Sequence, residues 1–291
     1  MPDLILSAAD FRMVEGLRLN PAKAFPGRVK GERLTTRRGL SIEFSDYREY
    51  AEGDDLRHLD WNVLARLDTP IMKTYRDEED LAVHLLVDTS ASMSFGEPSK
   101  LASAEKAGAA LTYAGLAGGD ALIPYNLGRP EPPRSFRGRS GYPKVCRWMQ
   151  GLASEGKSSL SSGLRSFAAS SARAGLAIVL TDGLDPEAAS GFRLVAGRGH
   201  ELMVLLVLSD LDLDPDLEGD LRLIDAESGS PVEITANGPT MREYRKRLDA
   251  HINAVRTEVV RAGGRFSIHR TSEPFERLVR ETFIRQGWLA S

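Results

Sequence analysis

Asp88, Ser90 and Ser92 stand at alternate positions in Asp88-Thr89-Ser90-Ala91-Ser92, directly after the apolar stretch Leu81 to Val87. One carboxylate and two hydroxyls are hard oxygen donors, the kind that Mg²⁺ gathers in near-octahedral array. A short apolar run bounded by small polar residues reads as a buried, parallel strand. In open α/β sheets, ligand sites lie just outside the carboxyl ends of such strands. A structural reading stands beside this one, because Asp or Ser at a strand end also caps a following helix. Three donors do not complete an octahedron, so two further turns become candidates. Gly156-Lys157-Ser158-Ser159-Leu160 precedes a helix and offers the hydroxyl of Ser158, and Thr181-Asp182-Gly183 ends the apolar run Ala177 to Leu180 and offers the carboxylate of Asp182.

These turns need strands and helices to position them. Apolar patterning predicts strands over 81–88, 120–127, 175–181, 201–208 and 265–269, with helices over about 99–118, 143–154, 160–173, 186–197 and 240–262 between and around them. The last of these helices carries Tyr244, Leu248, Ile252, Val255 and Val259 on one face and is stopped by Gly263-Gly264. A final helix is expected from Pro274, with Phe275, Leu278 and Phe283. Strands alternating with helices imply βαβ units, right-handed crossovers and a mostly parallel α/β sheet. Leu221 to Ile224 and Val232 to Ile234 flank Glu227-Ser228-Gly229-Ser230, which predicts a β-hairpin insertion at about 219–236. Residues 79–291 form the main domain in this reading. Residues 1–78 precede it as a short helix, opened by the capping-box spacing Ser7-Ala8-Ala9-Asp10, and an irregular arm in which Leu40, Ile42 and Phe44 alternate.

Composition narrows the function. The 291 residues carry a net charge of −3, which gives no general attraction to nucleic acid or anionic membranes. The single cysteine, Cys146, cannot form an internal disulfide; it reads as a buried thiol, and no Cys/His cluster suggests zinc. The N-terminus lacks a basic segment followed by a sustained apolar one, and the longest apolar candidate, Glu201 to Leu208, is too short to span a bilayer. A cytoplasmic protein without membrane or nucleic-acid partners is therefore expected. The histidines His58, His84, His200, His251 and His269 are scattered, and no nucleophile elbow is present, so no catalytic constellation emerges. His84, inside the first strand, reads as a core histidine.

Four other patterns compete for attention. Gly151 to Ser158 fits G-x-x-x-x-G-K-S letter for letter, with Ala177 to Asp182 able to pose as its Walker B strand, and supports the rival reading of a nucleotide hydrolase. A P-loop, however, follows a strand, and Val145, Trp148, Met149 and Leu152 are spaced as a helix. Arg28, Lys30, Arg33, Arg37 and Arg38 form a basic cluster without interleaved aromatics, which reads as a solvated face. Asp210, Asp212, Asp214, Asp216 and Asp220 fail the EF-hand pattern, with Pro215 and Leu221 at its sixth and twelfth positions, and read as a solvated acidic loop. Asp54, Asp55, Arg57, Asp60 and Arg66 read as an ion-pair network that pins the arm, with Trp61 as an anchor packed against the core.

Asp88-x-Ser90-x-Ser92, the Gly-x-hydroxyl loop and Thr181-Asp182-Gly183 together resemble the metal-ion-dependent adhesion site of von Willebrand factor A domains. That resemblance implies a doubly wound, mostly parallel α/β fold of Rossmann type, with Asp88, Ser90, Ser92 and Ser158 near the ion and Asp182 acting directly or through water. The family's middle loop normally offers Thr where this chain has Ser158, and the hydroxyl is retained. Gly39 to Tyr50, Gly53-Asp54-Asp55-Leu56-Arg57-His58-Leu59-Asp60-Trp61 and Ala65-Arg66 resemble the signature of the domain of unknown function 58 family, relatives of von Willebrand A domains typically encoded beside MoxR-type AAA+ ATPases. The resemblance implies a non-enzymatic protein-binding factor that uses Mg²⁺, with Mn²⁺ as the alternative ion. It also implies a partner offering Asp or Glu to the metal, and a MoxR-type ATPase in a shared assembly or maturation system. A structural interaction domain whose site holds no ion is the remaining alternative.

Overall fold

Three segments of the chain, 82–87, 176–181 and 201–208, are extended and buried at every position. Such segments need cover on both faces, which a parallel sheet between two layers of helices supplies. The computed structural model describes residues 5–23, 25, 43–51, 56, 59–76, 80–154, 159–170 and 172–291. Among them the strands are β1 (Arg18–Leu19), β2 (Glu43–Glu49), β3 (Ile71–Arg76), β4 (Ala82–Val87), β5 (Ala121–Asn126), β6 (Leu176–Thr181), β7 (Glu201–Leu208), β8 (Gly219–Ile224), β9 (Pro231–Ala236), β10 (Arg265–Arg270) and β11 (Leu289–Ala290). The α-helices are α1 (Ala8–Val14), α2 (Trp61–Leu67), α3 (Lys100–Ala117), α4 (Tyr142–Gln150), α5 (Leu160–Ala169), α6 (Ala188–Gly197), α7 (Asp210–Leu213), α8 (Gly238–Arg261) and α9 (Phe275–Arg277). A π-helical segment, Leu278–Ile284, continues α9 and completes the helix expected from Pro274.

Five strands form one parallel sheet in the order β10-β7-β6-β4-β5. Counted along the chain within this sheet, the order is 5-4-3-1-2. This is the doubly wound arrangement expected from the sequence, and its switch point falls between β4 and β6. Alternate side chains of the strands serve the two faces. On one face Leu86, Val179, Val204 and Leu206 pack with Leu164 and Phe167 of α5, Phe192 and Val195 of α6, and Leu248 and Val255 of α8. On the other, α3 lies so close to the sheet that a Cβ on Gly108 would come within 3.0 Å of Leu180 and 3.6 Å of Leu85. Each leucine buried this way contributes about 1.5–3 kcal/mol.

The chain packs as two compact units, residues 1–23 with 82–291, and residues 24–81. In the first, α1 begins at the anticipated capping box, with Ser7 and Asp10 each bonding the other's backbone N–H. Cys146 is buried in α4, as expected. The expected insertion is present as the antiparallel pair β8–β9, with Leu221 opposite Ile234. Helices α4 and α5 end four residues earlier than their patterning suggests, because Gly151 and Ser170 bond back to the last turn and stop them.

In residues 24–81 the expected irregular arm contains regular structure that its Gly- and Pro-rich composition conceals. β2 and β3 pair antiparallel, and α2 is capped by Asp60, whose Oδ1 accepts from the N–H groups of Asn62 and Val63 at 2.9 and 3.2 Å. Trp61 is not the core anchor it is expected to be. It is the first residue of α2, a helix without buried residues, and 60% of its surface is exposed. Leu40 and Ile42 of the alternating run, and Asp54, Asp55 and Arg57 of the expected ion-pair network, lie outside the described residues.

His84 is the core histidine foreseen for β4. Its Nε2 lies 2.9 Å from the Arg173 carbonyl, and its ring meets Phe167 and His200 edge-on at 5.2 and 5.1 Å. Burial pushes its pKa below the usual histidine range, and pushes His200 and His269 to about 4. These rings are neutral in the folded protein, whereas in the unfolded chain they protonate near 6.5. Their stabilising contribution is therefore complete above pH 6.5 and is lost as pH falls toward 4, by up to about 3 kcal/mol for a group shifted this far. The melting temperature should fall between pH 6.5 and 4, and His200→Leu should make that slope shallower; identical slopes would contradict the assignment.

Candidate metal centre

Asp88 and Asp182 leave neighbouring strands at the switch point. The Asp88 N–H donates to the Leu180 carbonyl at 2.9 Å, continuing the β4–β6 ladder past Val87. Thr181 joins the two turns: its buried hydroxyl donates to Asp88 Oδ2 at 2.5 Å and accepts from the Gly183 N–H at 2.9 Å. Gly183 has φ +66°, and a Cβ there would stand 2.6 Å from Leu206 Cδ2, so both backbone and space require glycine after Asp182.

The other Asp88 oxygen accepts from the Ser90 N–H at 2.9 Å. Ser90 opens a 3₁₀ turn, Ala91–Ser94, anchored by the fully buried Met93. This turn brings Ser90 Oγ and Ser92 Oγ to 3.1 Å. Adjacent vertices of an octahedron with Mg–O bonds of about 2.1 Å are about 3.0 Å apart, so the two hydroxyls have the spacing of neighbouring ligands. Asp88 is 1% exposed, and among the described residues no cation pairs with it. Burial, then repulsion from Asp182, pushes its carboxyl up to about 6 despite the bonds from Thr181 and Ser90. A nearby cation would relieve both effects. Among the described residues no three His, Cys, Asp or Glu side chains are grouped to hold a metal. A cation here would rely on the serine hydroxyls with Asp88, a donor set suited to a hard divalent ion.

Asp182 already has a partner. Its Oδ2 accepts from Lys100 Nζ at 2.7 Å, and its Oδ1 accepts from the Leu184 N–H at 3.2 Å. Lys100 is the first residue of α3, only 1% exposed, and it also reaches Asp212 at 3.1 Å. Asp212 accepts in turn from the N–H and hydroxyl of Ser209. Lys100 looks like an ordinary first-turn lysine in the sequence, and nothing marks it as buried. Asp212 belongs to the series expected to be a solvated acidic loop; Asp210, Asp214, Asp216 and Asp220 are exposed as expected, and for Asp212 the expectation is corrected. Ser209-x-x-Asp212 is a capping box that opens α7, Asp210 pairs with Arg270 at 3.0 Å, and Asp214 pairs with Arg245. The capping box was the available signal.

The middle turn is described only in part. Ser158 lies outside the described residues, as do Glu155, Gly156 and Lys157. Just after it, Ser159 caps α5, and the Ser161 N–H donates to Asp185 Oδ2 at 2.9 Å, tying the start of α5 to the turn that carries Asp182. The element before Gly151 is α4, so the strand that must fix a P-loop is not there. The basic cluster Arg28, Lys30, Arg33, Arg37 and Arg38 lies outside the described residues. One further carboxylate reaches the first turn: Glu227, from the β8–β9 connection, accepts from the Ser92 N–H at 2.8 Å across 135 residues of sequence.

The family described as "Protein of unknown function DUF58" matches residues 46–255. Uncharacterized proteins of Mycobacterium tuberculosis H37Rv and Mycobacterium bovis are each 28% identical over 251 residues, covering 81% of this chain and 76% of theirs. Among solved structures, the conserved hypothetical protein BatB from Bacteroides thetaiotaomicron aligns with a TM-score of 0.42 at 14% identity, over 71% of this chain and 98% of its own. An aerotolerance-related membrane protein from Bacteroides fragilis aligns with a TM-score of 0.38 at 16% identity, over 70% and 99%. Against the cytoplasmic expectation, that neighbour is itself described as a membrane protein, and the expectation is withdrawn. Of the signals behind it, the short apolar run Glu201 to Leu208 is β7 of the buried sheet, and neither it nor the N-terminal pattern fixes a compartment. Among the described residues no helix is long and apolar enough to cross a membrane.

The buried Lys100–Asp182–Asp212 group yields a stability prediction. Removing one partner of a buried ion pair leaves an uncompensated charge and costs about 3–5 kcal/mol. Lys100→Met should lower the unfolding free energy in urea by that order, and adding Asp182→Asn should restore part of it. Wild-type stability in Lys100→Met would show that the ammonium is not needed there.

Proposed function

We propose, from the premise that this chain belongs to the DUF58 family, that it is a protein-binding factor whose contact runs through a bound Mg²⁺ ion, with Mn²⁺ as the alternative. The observation that carries this reading is the Ser90–Ser92 hydroxyl pair, 3.1 Å apart beside a buried carboxylate that no cation among the described residues answers, at the sheet's switch point. The von Willebrand A-type adhesion site supplies the template. Ser90, Ser92 and Ser158 would hold the ion by their hydroxyls, Asp88 by its carboxylate, and Asp182 through water, since Lys100 already bonds it. When bound, the ion supplies an electrophilic position that accepts a carboxylate from another protein.

The chain's own residues favour binding over turnover. Thr181 and the Ser90 N–H fix the orientation of Asp88. Lys100 balances Asp182, so little protein charge is left to quench the ion. A partner's Asp or Glu would then give a contact that is specific and dependent on metal. By family resemblance the partner system includes a MoxR-type AAA+ ATPase, and the shared task is assembly or maturation of other proteins. The rival, a P-loop hydrolase built on Gly151 to Ser158, is disfavoured by the helix that precedes it.

The test pairs calorimetry with capture. Mg²⁺ should bind the full-length wild-type chain and Lys157→Ala, and should not bind Asp88→Ala. A co-expressed MoxR-type ATPase should be retained by the wild type in Mg²⁺ and released by EDTA. Retention indifferent to EDTA and to Asp88→Ala would overturn the reading, as would ATP binding that disappears in Lys157→Ala.

A further inference from the structure

The carboxylate of Glu227 has no obvious reason to be where it is. It sits on an exposed turn, yet it reaches the backbone N–H of Ser92, one of the two residues whose hydroxyls have ligand spacing. No cation pairs with Glu227 or with Asp88 among the described residues. The turn is built to present it. Asp225 Oδ1 accepts from the N–H groups of Glu227 and Ser228 at 3.0 and 2.6 Å. The Asp225 backbone closes the loop through Ser230 and Gly229 at 2.9 and 2.8 Å.

The hairpin behind the turn is poorly supported. Ile224 and Val232 are 59% and 53% exposed, and a two-stranded hairpin is marginal by itself in water. The Glu227–Ser92 bond thus fastens the tip of a weakly packed arm to the rim of the site. The bond places a carboxylate beside the turn that carries Asp88, Ser90 and Ser92, and carboxylates with hydroxyls make a donor set suited to a hard divalent ion.

We propose that Glu227 is this chain's own carboxylate ligand for the cation, carried in by the β8–β9 hairpin to the position offered to a partner's acid. This rests on the metal-binding reading above and adds a residue to it. A partner's Asp or Glu must then displace Glu227, so the hairpin is seated while the site is closed to partners and free while it is engaged.

The experiment is Mg²⁺ titration calorimetry on four full-length proteins: wild type, Glu227→Gln, Glu233→Gln and Asp88→Ala. Glu227 is exposed, so its substitution leaves the core untouched. The expected result is affinity roughly tenfold or more weaker in Glu227→Gln, unchanged in Glu233→Gln on the same hairpin, and absent in Asp88→Ala. Amide hydrogen exchange across residues 219–236 should slow when Mg²⁺ is added to wild type and should not change in Glu227→Gln. Wild-type affinity in Glu227→Gln, with Asp88→Ala inactive, would overturn this inference and leave the metal site standing. Absence of Mg²⁺ binding in wild type would overturn both.

Discussion

Two carboxylates emerge side by side from the buried ends of β4 and β6, and their charges must be answered in a medium that screens little. The fold answers them unequally. Asp182 receives a full ammonium from Lys100, which also takes up Asp212. Among the described residues Asp88 receives only neutral hydroxyl and amide donors, and it is held at a raised pKa by burial and by Asp182. Much of the local architecture follows from this asymmetry. α3 starts with its first residue turned inward toward the sheet, and α7 starts where Asp212 can meet both Ser209 and Lys100. The turn after β4 winds into a 3₁₀ segment that brings the hydroxyls of Ser90 and Ser92 together beside Asp88.

The strand order explains why these turns meet at all. In a doubly wound sheet, successive crossovers leave the sheet on opposite faces on either side of the switch point, opening a crevice there. β4 and β6 flank that crevice, and Asp88 and Asp182 are the first residues beyond the strands or their last hydrogen bonds. Thr181 then matters as a clamp. By donating to Asp88 and accepting from Gly183, it sets the orientation of one turn against the other.

Most of the sheet was legible because buried parallel strands are short apolar runs, and β4, β6 and β7 contain little else. The helices were legible in extent only where a cap was visible; α4 and α5 stop at Gly151 and Ser170, residues whose backbone bonds decide the end. The alternation of donors in Asp88, Ser90 and Ser92 was equally visible, since oxygen type and spacing are properties of sequence. What could not be read was pairing at long range. Lys100 and Asp182 are 82 residues apart, Glu227 and Ser92 are 135 apart, and neither pair carries a local signature. Trp61 misled for the opposite reason: its size suggests a core anchor, but the cap at Asp60 places it at the exposed start of a helix.

The hydroxyls of Ser90 and Ser92, with Asp88 behind them, form the proposed cation site on which the functional reading stands. The direct measurement is a crystal structure grown with MnCl₂ and phased to reveal anomalous scattering from manganese. One strong peak is expected within bonding distance of both serine hydroxyls, lost in crystals of Asp88→Ala. Crystals saturated with manganese but lacking density at that point would contradict it.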